Sequence, residues 1–355
     1  MTKHLDTIDG QTLLATPMES TRFVVSSLIP TGLHILGGAP KTGKSWLMLW
    51  LCLQVAEGEN VWNYQSRKGT VLYLCLEDSY ERIQSRLLDI TEDAPDNLFF
   101  SVVSESIAGG LPEQIENFLS AHPDTVLIVI DTLQNIRSDS GSANPYANDY
   151  RELTVLRELA YRNKIAILCV HHLRKMKDDD PMNMLSGTTG LSGVVDTVFI
   201  LDKRKRTDNE ATLFCTGRDI ESVEMRLELD SGTHIWKLCG GNTESEVRLL
   251  DDAVLALCDC LRYNFSLSGF TGTATELAAA VEKATGKTIT PAVLRKKLMK
   301  HYGDLLGMGW QCSYRRTRNE KIIEIKQRGT AAADEPYAGN PYSMRPAVGA
   351  VGSGR

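Results

Sequence analysis

The 355-residue sequence predicts an α/β fold: a central, mostly parallel β-sheet, followed by a small basic module of helices and a hairpin. Three observations predict it. Residues 33–238 alternate short β-branched apolar runs with helix-like segments, the pattern of a sheet built from strand–helix crossovers. The runs are apolar throughout, as strands covered on both faces must be. Beyond the polar stretch GGNTESE (240–246) the pattern changes to three helical segments and a pair of strands.

Taken in order, the predicted strands are LHIL (33–36), TVLYLCLE (70–77), LFFSVV (98–103), TVLIVID (125–131) and IAILCVHH (165–172). The helices between them are KSWLMLWLCLQVA, SYERIQSRLLDI, PEQIENFLS and YRELTVLRELAYR. After Asp196, DTVFILDK, ATLFCTGR, VEMRLELD and HIWKL read as hairpin strands that extend the sheet, with short polar connections such as RKRTDNE. Two polar stretches, 138–149 and 174–190, are loops of a length that usually serves function or motion. Helices are then expected for VRLLDDAVLALCDCLR, TATELAAAVEKATG and TPAVLRKKLMKHYGDLL, and a strand pair for WQCSYRRT and KIIEIKQ, turned at Arg318 and Asn319. The domain reading is an N-terminal arm over 1–30, an α/β domain over 31–240, a winged-helix-like basic domain over 245–328 and a disordered Gly/Ala/Pro tail over 329–355.

A composition of 42% hydrophobic and 24% charged residues is that of a globular protein and excludes a fibre or a wholly disordered chain. No apolar run reaches the roughly 20 residues that span a bilayer, and the N-terminus lacks a basic segment followed by an apolar core. A cytoplasmic location without membrane contact is the expectation. The cysteines lie mostly in apolar runs, and Cys258 and Cys260 have a spacing unsuited to a zinc knuckle, so reduced core thiols are expected. Between Gly286 and Arg328 stand eleven Lys and Arg against three acids. That local charge of +8, in a chain whose total is −6, leaves −14 elsewhere and predicts a polyanion-binding module on an acidic body.

The chemistry begins at GAPKTGKS, which fits G-x-x-x-x-G-K-[ST] between a strand and a helix. Gly38, Ala39, Pro40, Lys41, Thr42 and Gly43 form the loop whose backbone N–H groups can turn inward, and the helix that follows adds its positive end. Lys44 is placed to reach the β- and γ-phosphates of ATP and Ser45 to ligate Mg²⁺. A glycine-rich turn with an incidental lysine is the plain alternative, which the flanking strand and helix disfavour. Asp131 ends TVLIVID where a metal-binding carboxylate is needed, although an aspartate there also serves as a helix cap. Glu77 ends TVLYLCLE at the same sheet edge and suits the base that deprotonates water; its neighbour Asp78 suits either that role or a cap on SYERIQ. IAILCVHH brings His171 and His172 to the edge, one of them as a γ-phosphate sensor.

The order GGAPKTGKS, LCLED, VLIVIDTLQNI, CVHHLRK and SGTTGLSGVVDTVFIL resembles the RecA-like ATPase core of plasmid RepA-type hexameric replicative helicases and related ATPases of mobile elements, over about residues 20–238. The resemblance implies a RecA-like P-loop NTPase core. It matches Lys44 and Ser45 to the P-loop, Glu77 to the catalytic glutamate, Asp131 to the metal-binding aspartate and His172 to the sensor. It further implies a homo-oligomeric, hexameric ring in which Arg218 of LFCTGRDI acts as an arginine finger on a neighbour's ATP. The DnaB-type pattern has a lysine two residues before that arginine, where this chain has Thr216. The implied single-stranded DNA loop is 174–190, with Lys175 as a contact; Arg174 and Lys177 join it, opposed by Asp178, Asp179 and Asp180.

The basic module lies outside that resemblance. Arg295, Lys296, Lys297 and Lys300 on its third helix and Arg315, Arg316 and Arg318 on its hairpin suit phosphate contacts, with duplex DNA as a second possible partner and Tyr314 available for stacking. A solvated basic face or a protein-docking module is the plain alternative. Two functions follow: an ATP-driven motor on single-stranded DNA, in plasmid, phage or mobile-element replication, or a nucleotide-switched DNA-binding regulator that unwinds nothing. A metabolic P-loop kinase suits the basic module poorly.

Overall fold

A computed structural model describes residues 7–18, 21–137, 145–173, 189–205, 207–239, 252–265, 269–316 and 321–327. The chain divides into two compact units, Thr21–Leu249 and Met1–Ser20 with Leu250–Arg355.

In the large unit a nine-stranded sheet runs in the order β11-β10-β9-β8-β3-β7-β6-β4-β5. Its strands are β3 (Gly32–Gly38), β4 (Thr70–Cys75), β5 (Leu98–Ser101), β6 (Thr125–Asp131), β7 (Ala166–His172), β8 (Thr197–Asp202), β9 (Glu210–Gly217), β10 (Val223–Leu229) and β11 (Trp236–Leu238). Every pairing from β5 across to β8 is parallel, and β8 to β11 run antiparallel. The parallel strands carry the continuously apolar runs, and β3, β4 and β6 are buried along their whole length. Residues 23–30, assigned to the arm on sequence, form the short hairpin of β1 (Phe23–Val25) and β2 (Ile29–Pro30), with Val24, Val25, Leu28 and Ile29 in the core of this unit.

One face of the sheet is covered by α2 (Lys44–Glu57) and α3 (Tyr80–Ile90). The helix α2 is buried on nearly every side and ends at Gly58, whose φ of 80° is the left-handed stop that glycine allows. The other face is covered by α4 (Leu111–Ala121), α5 (Leu133–Ile136), α6 (Pro145–Asn163) and α7 (Thr189–Val194). Of the two expected loops, residues 145–149 instead open α6 and Thr189 and Gly190 open α7, while 138–144 and 174–188 lie outside the described residues.

The smaller unit holds α1 (Gly10–Ala15), capped by Asp9, and then α8 (Asp252–Asn264), β12 (Phe270–Thr273), α9 (Ala274–Thr285), α10 (Pro291–Lys300), α11 (Tyr302–Gly307), β13 (Trp310–Arg316) and β14 (Lys321–Gln327). A Thr273/Glu276 capping box starts α9, and Thr290 with Pro291 starts α10. Leu257, Leu261, Leu277, Val281, Leu294, Leu298, Ile323 and Ile325 form its core. Two features differ from the sequence reading. The short, polar FTGT forms β12, which pairs with β14 and makes the hairpin a three-stranded antiparallel sheet. The expected third helix breaks at His301, and the separate turn of α11 places Tyr302 and Leu305 in the same core.

Candidate active site

Parallel pairing decides which residues meet. Gly38 of β3 is level with His172 of β7, Val170 with Asp131 of β6, and Asp131 with Cys75 of β4. The loop after β3, the turn after β4 and the ends of β6 and β7 therefore emerge at one sheet edge, as a parallel sheet requires of a ligand site. Glu77 lies in the turn two residues beyond Cys75 rather than in the strand itself.

The loop is built around Gly43, whose φ of 94° only glycine adopts without strain. Gly38 is held close as well: an added Cβ would lie 3.0 Å from the carbonyl of Leu201 and from the side chain of Lys44. Thr42 donates its hydroxyl to the carbonyl of Ala39 at 2.9 Å. Ala39, Pro40 and Lys41 are exposed and Ser45 is half-buried.

Lys44 is buried, and its ammonium donates to the carbonyls of Gly38 and Ala39, both at 2.9 Å. Burial pushes it down to about 8, against the pull of Asp131 and Glu77. It also lies 3.4 Å from His172 Nδ1. An ammonium can only donate, so Nδ1 accepts and the proton of a neutral His172 sits on Nε2, 3.9 Å from Glu77 Oε2. The other carboxylate oxygen of Glu77 accepts from the Thr132 hydroxyl at 3.0 Å, and Asn135 donates to the carbonyl of Leu76 at 3.0 Å, fixing the turn that carries Glu77.

These contacts separate the paired candidates. Asp78 is held by Arg82 at 2.8 Å and Arg86 at 2.5 Å, while Ser79 caps α3. His171 sits on the opposite face of β7 and burial pushes it down to about 4, so it is neutral at pH 7. Glu77 and His172 are the pair that faces Lys44.

Asp131 is buried, accepts from Tyr73 Oη at 3.0 Å and is hydrogen-bonded by Ser45. Burial pushes its carboxyl up, against those two hydrogen bonds. A serine hydroxyl and a carboxylate held together beside the loop are hard oxygen donors of the kind Mg²⁺ takes alongside phosphate oxygens. Among the described residues no group of three or more His, Cys, Asp or Glu is gathered for a metal.

Arg218 lies elsewhere. It follows Gly217, which pairs with Thr197, itself level with His34 near the start of β3. The stretch of β3 from His34 to Gly38, on the order of 13 Å, separates it from the loop of its own chain. Its guanidinium donates to Asp196 Oδ1 at 3.2 Å and to the carbonyl of Gly193 at 3.0 Å. Asp196 also accepts from Leu33 N at 3.0 Å and Tyr161 Oη at 2.5 Å.

In the smaller unit Lys296 and Arg315 are exposed and Arg295 and Lys297 half-buried; α10 carries Lys300 at its end and β13 carries Arg316 at its own. Lys175 and Arg318 lie outside the described residues. Tyr314 is not free for stacking: it packs against the core of this unit, and its buried hydroxyl has no hydrogen-bond partner. Sequence reasoning missed Thr132, Asp196 and Trp236, whose indole meets the loop at Gly43; only Thr132, next to Asp131, had a visible signal.

Comparison with known proteins gives a match to the AAA_25 family (AAA domain) over residues 2–178. Relatives include proteins named DNA repair protein RadA. That of Streptococcus pyogenes is 32% identical over 205 residues, covering 56% of this chain and 39% of the relative. That of Streptococcus pneumoniae is 30% identical over 189 residues, covering 52% and 39%. The chain thus spans about two fifths of the length of these relatives. Among solved structures, the ATPase domain of G40P and a DnaB-like replicative helicase studied with primase each align with a TM-score of 0.49 and 12% identity, over 58% of this chain and 84% and 57% of theirs. No helix among the described residues is long and apolar enough to cross a membrane. The glycine loop at the edge of the parallel sheet, with Lys44, Ser45 and Asp131, thus lies within residues 2–178, the part of the chain that is similar to the AAA_25 (AAA domain) family.

Proposed function

We propose that the chain is an ATP-driven DNA motor, a RepA-like replicative helicase ATPase that acts as a ring on single-stranded DNA in plasmid, phage or mobile-element replication. The observation that carries it is the run of contacts from Lys44 through His172 to Glu77, beside Ser45 and Asp131. In this reading Lys44 leaves the carbonyls of Gly38 and Ala39 for the β- and γ-phosphates of ATP. Ser45 and Asp131 hold Mg²⁺, which when bound supplies charge neutralisation on the phosphates. Glu77 takes a proton from water as its oxygen bonds to the γ-phosphorus and the bond to the bridging β–γ oxygen breaks. His172, touching both Lys44 and Glu77, senses whether the γ-phosphate is present. Arg218, most of the length of β3 away from its own loop, serves the ATP of a neighbouring copy in a hexamer.

DNA as the partner is supported by the relatives named DNA repair protein RadA and by the positive charge of residues 286–328. The smaller unit, read as winged-helix-like over 245–328, contributes Arg295, Lys296, Lys297, Lys300, Arg315, Arg316 and Arg318, and Lys175 contributes from the large unit. That dedicated basic unit also favours a second reading, a nucleotide-switched DNA-binding regulator. Fork unwinding with ATP and Mg²⁺ separates the two. The motor displaces a strand, and Lys44→Ala abolishes both displacement and DNA-stimulated hydrolysis. Hydrolysis without displacement on forks with either tail would leave the regulator.

A further inference from the structure

We infer that Trp236 is a positioning residue for nucleotide binding: its indole N–H, donated to the carbonyl of Gly43, aims the Lys44 amide into the phosphate cradle. The inference rests on the reading of residues 38–45 as that cradle.

Trp236 stands on β11, the edge strand at the far end of the antiparallel extension, outside the matched residues 2–178. It is fully buried, and Nε1 donates to Gly43 O at 3.1 Å. The same oxygen accepts from Leu47 N, also at 3.1 Å, as the first bond of α2. Both acceptor positions of this carbonyl are therefore filled, one by the helix and one by the indole. The peptide unit is planar and trans, so its C=O and the next N–H point in opposite directions. Fixing the oxygen of Gly43 on the outer side of the loop thus fixes the direction of the Lys44 N–H on the inner side.

Such a tether has a purpose at this residue. Gly43 has no Cβ and adopts φ of 94°, so the chain is least restrained where the phosphate-binding amides must be aligned. The fit is close: a Cβ on Gly43 would lie 3.1 Å from the indole Cζ2. Trp236 is itself anchored, because Trp62 Nε1 donates to its carbonyl at 2.7 Å and the Lys203 ammonium lies 4.9 Å from its ring centroid. The hairpin strands thereby brace the loop without supplying a phosphate ligand, in the way that supporting contacts preorganise a binding site.

The test is MgADP affinity of the full chain by calorimetry for the wild type, Trp236→Phe, Trp62→Phe and Lys44→Ala. Trp62→Phe removes a neighbouring indole bond to the same strand but leaves Gly43 with both donors. Trp236→Phe is expected to weaken MgADP about fivefold to tenfold, the effect of one lost hydrogen bond, and Trp62→Phe less than about twofold. Equal weakening in both would reduce Trp236 to a packing residue and overturn the inference. Tight wild-type binding, lost in Lys44→Ala but unchanged in Trp236→Phe, would overturn it while leaving the cradle intact; equal affinity of wild type and Lys44→Ala would overturn the cradle itself. A second measurement needs no Trp236 variant. In wild type labelled with ¹⁵N-tryptophan, the Trp236 indole resonance, assigned by substituting the other four tryptophans, is expected to move on adding MgADP. A resonance that stays in place at saturation would also overturn the inference.

Discussion

At the carboxyl edge of β3 a buried cation, Lys44, is held by two carbonyls of its own loop; at the amino edge a buried carboxylate, Asp196, is held by Leu33 N, the Tyr161 hydroxyl and the Arg218 guanidinium. The hydrogen-bond partners of Lys44 are neutral carbonyls, weaker acceptors than a phosphate would be. Those of Asp196 include a full positive charge and complete its hydrogen bonding inside the chain. In the proposed function the first edge exchanges protein contacts for ligand contacts, whereas the second is a brace. Even so, Arg218 keeps its side chain 53% exposed, so the brace fixes one end of a cation whose remaining donors face outward.

Substitutions should therefore act on different quantities at the two edges. The largest effect is expected from Glu77→Gln, which keeps the shape that Thr132 and His172 contact but removes the carboxylate proposed as the base: kcat for ATP should fall about 10²–10⁴-fold with nucleotide affinity close to wild type. A parallel fall in thermal stability would show that Glu77 braces the turn instead. At the other edge Asp196→Ala strands Leu33 N, the Tyr161 hydroxyl and Arg218 together, and is expected to cost about 2–4 kcal/mol of stability in urea unfolding. A loss below about 1 kcal/mol would mean that water replaces the carboxylate and that this edge is as open as the first.

Much of the carboxyl edge was legible because continuous apolar strands end in chemistry-bearing residues: Gly38 after LHIL, Asp131 after VLIVI, His172 after ILCV, with Glu77 just past Cys75. Parallel pairing then forces those ends together. What stayed hidden is what pairing alone does not dictate. Trp236 reaches Gly43 across 193 residues, through an antiparallel extension whose register no local pattern announces. Asp196 reads as an ordinary residue before a strand, yet it accepts from three elements. FTGT is too short and polar to read as β12, and only its pairing with β14 makes it a strand. TPAVLRKKLMKHYGDLL has helical composition throughout, so its break at His301 follows from where Tyr302 and Leu305 must pack. Asp78 and His171 were separated from Glu77 and His172 by contacts, with Arg82 and Arg86 in one case and by the opposite face of β7 in the other.

The gentlest probe of the contrast between the edges is pH. Burial holds Lys44 at about 8 in the open cradle, below its ordinary 10.5. The folded chain therefore binds fewer protons than the unfolded chain between those values. The charged, buried Lys44 costs stability in full below pH 8, and the cost fades as pH rises toward 10.5. A phosphate reverses the preference, because it favours the ammonium. Above pH 8, MgADP binding must then take up a proton, and affinity should fall by up to about tenfold per pH unit, while it stays level between pH 7 and 8. Calorimetry at pH 7 and pH 9, in buffers of different ionisation enthalpy, should find uptake approaching one proton at pH 9 and close to none at pH 7. His171, held at about 4, is neutral at both pH values and adds nothing to the signal. If no proton is taken up at pH 9, Lys44 keeps its charge in the open cradle, held by the two carbonyls with the pull of Asp131 and Glu77. Both edges would then be settled ion sites, and the Gly38 and Ala39 carbonyls would compete with phosphate rather than merely wait for it.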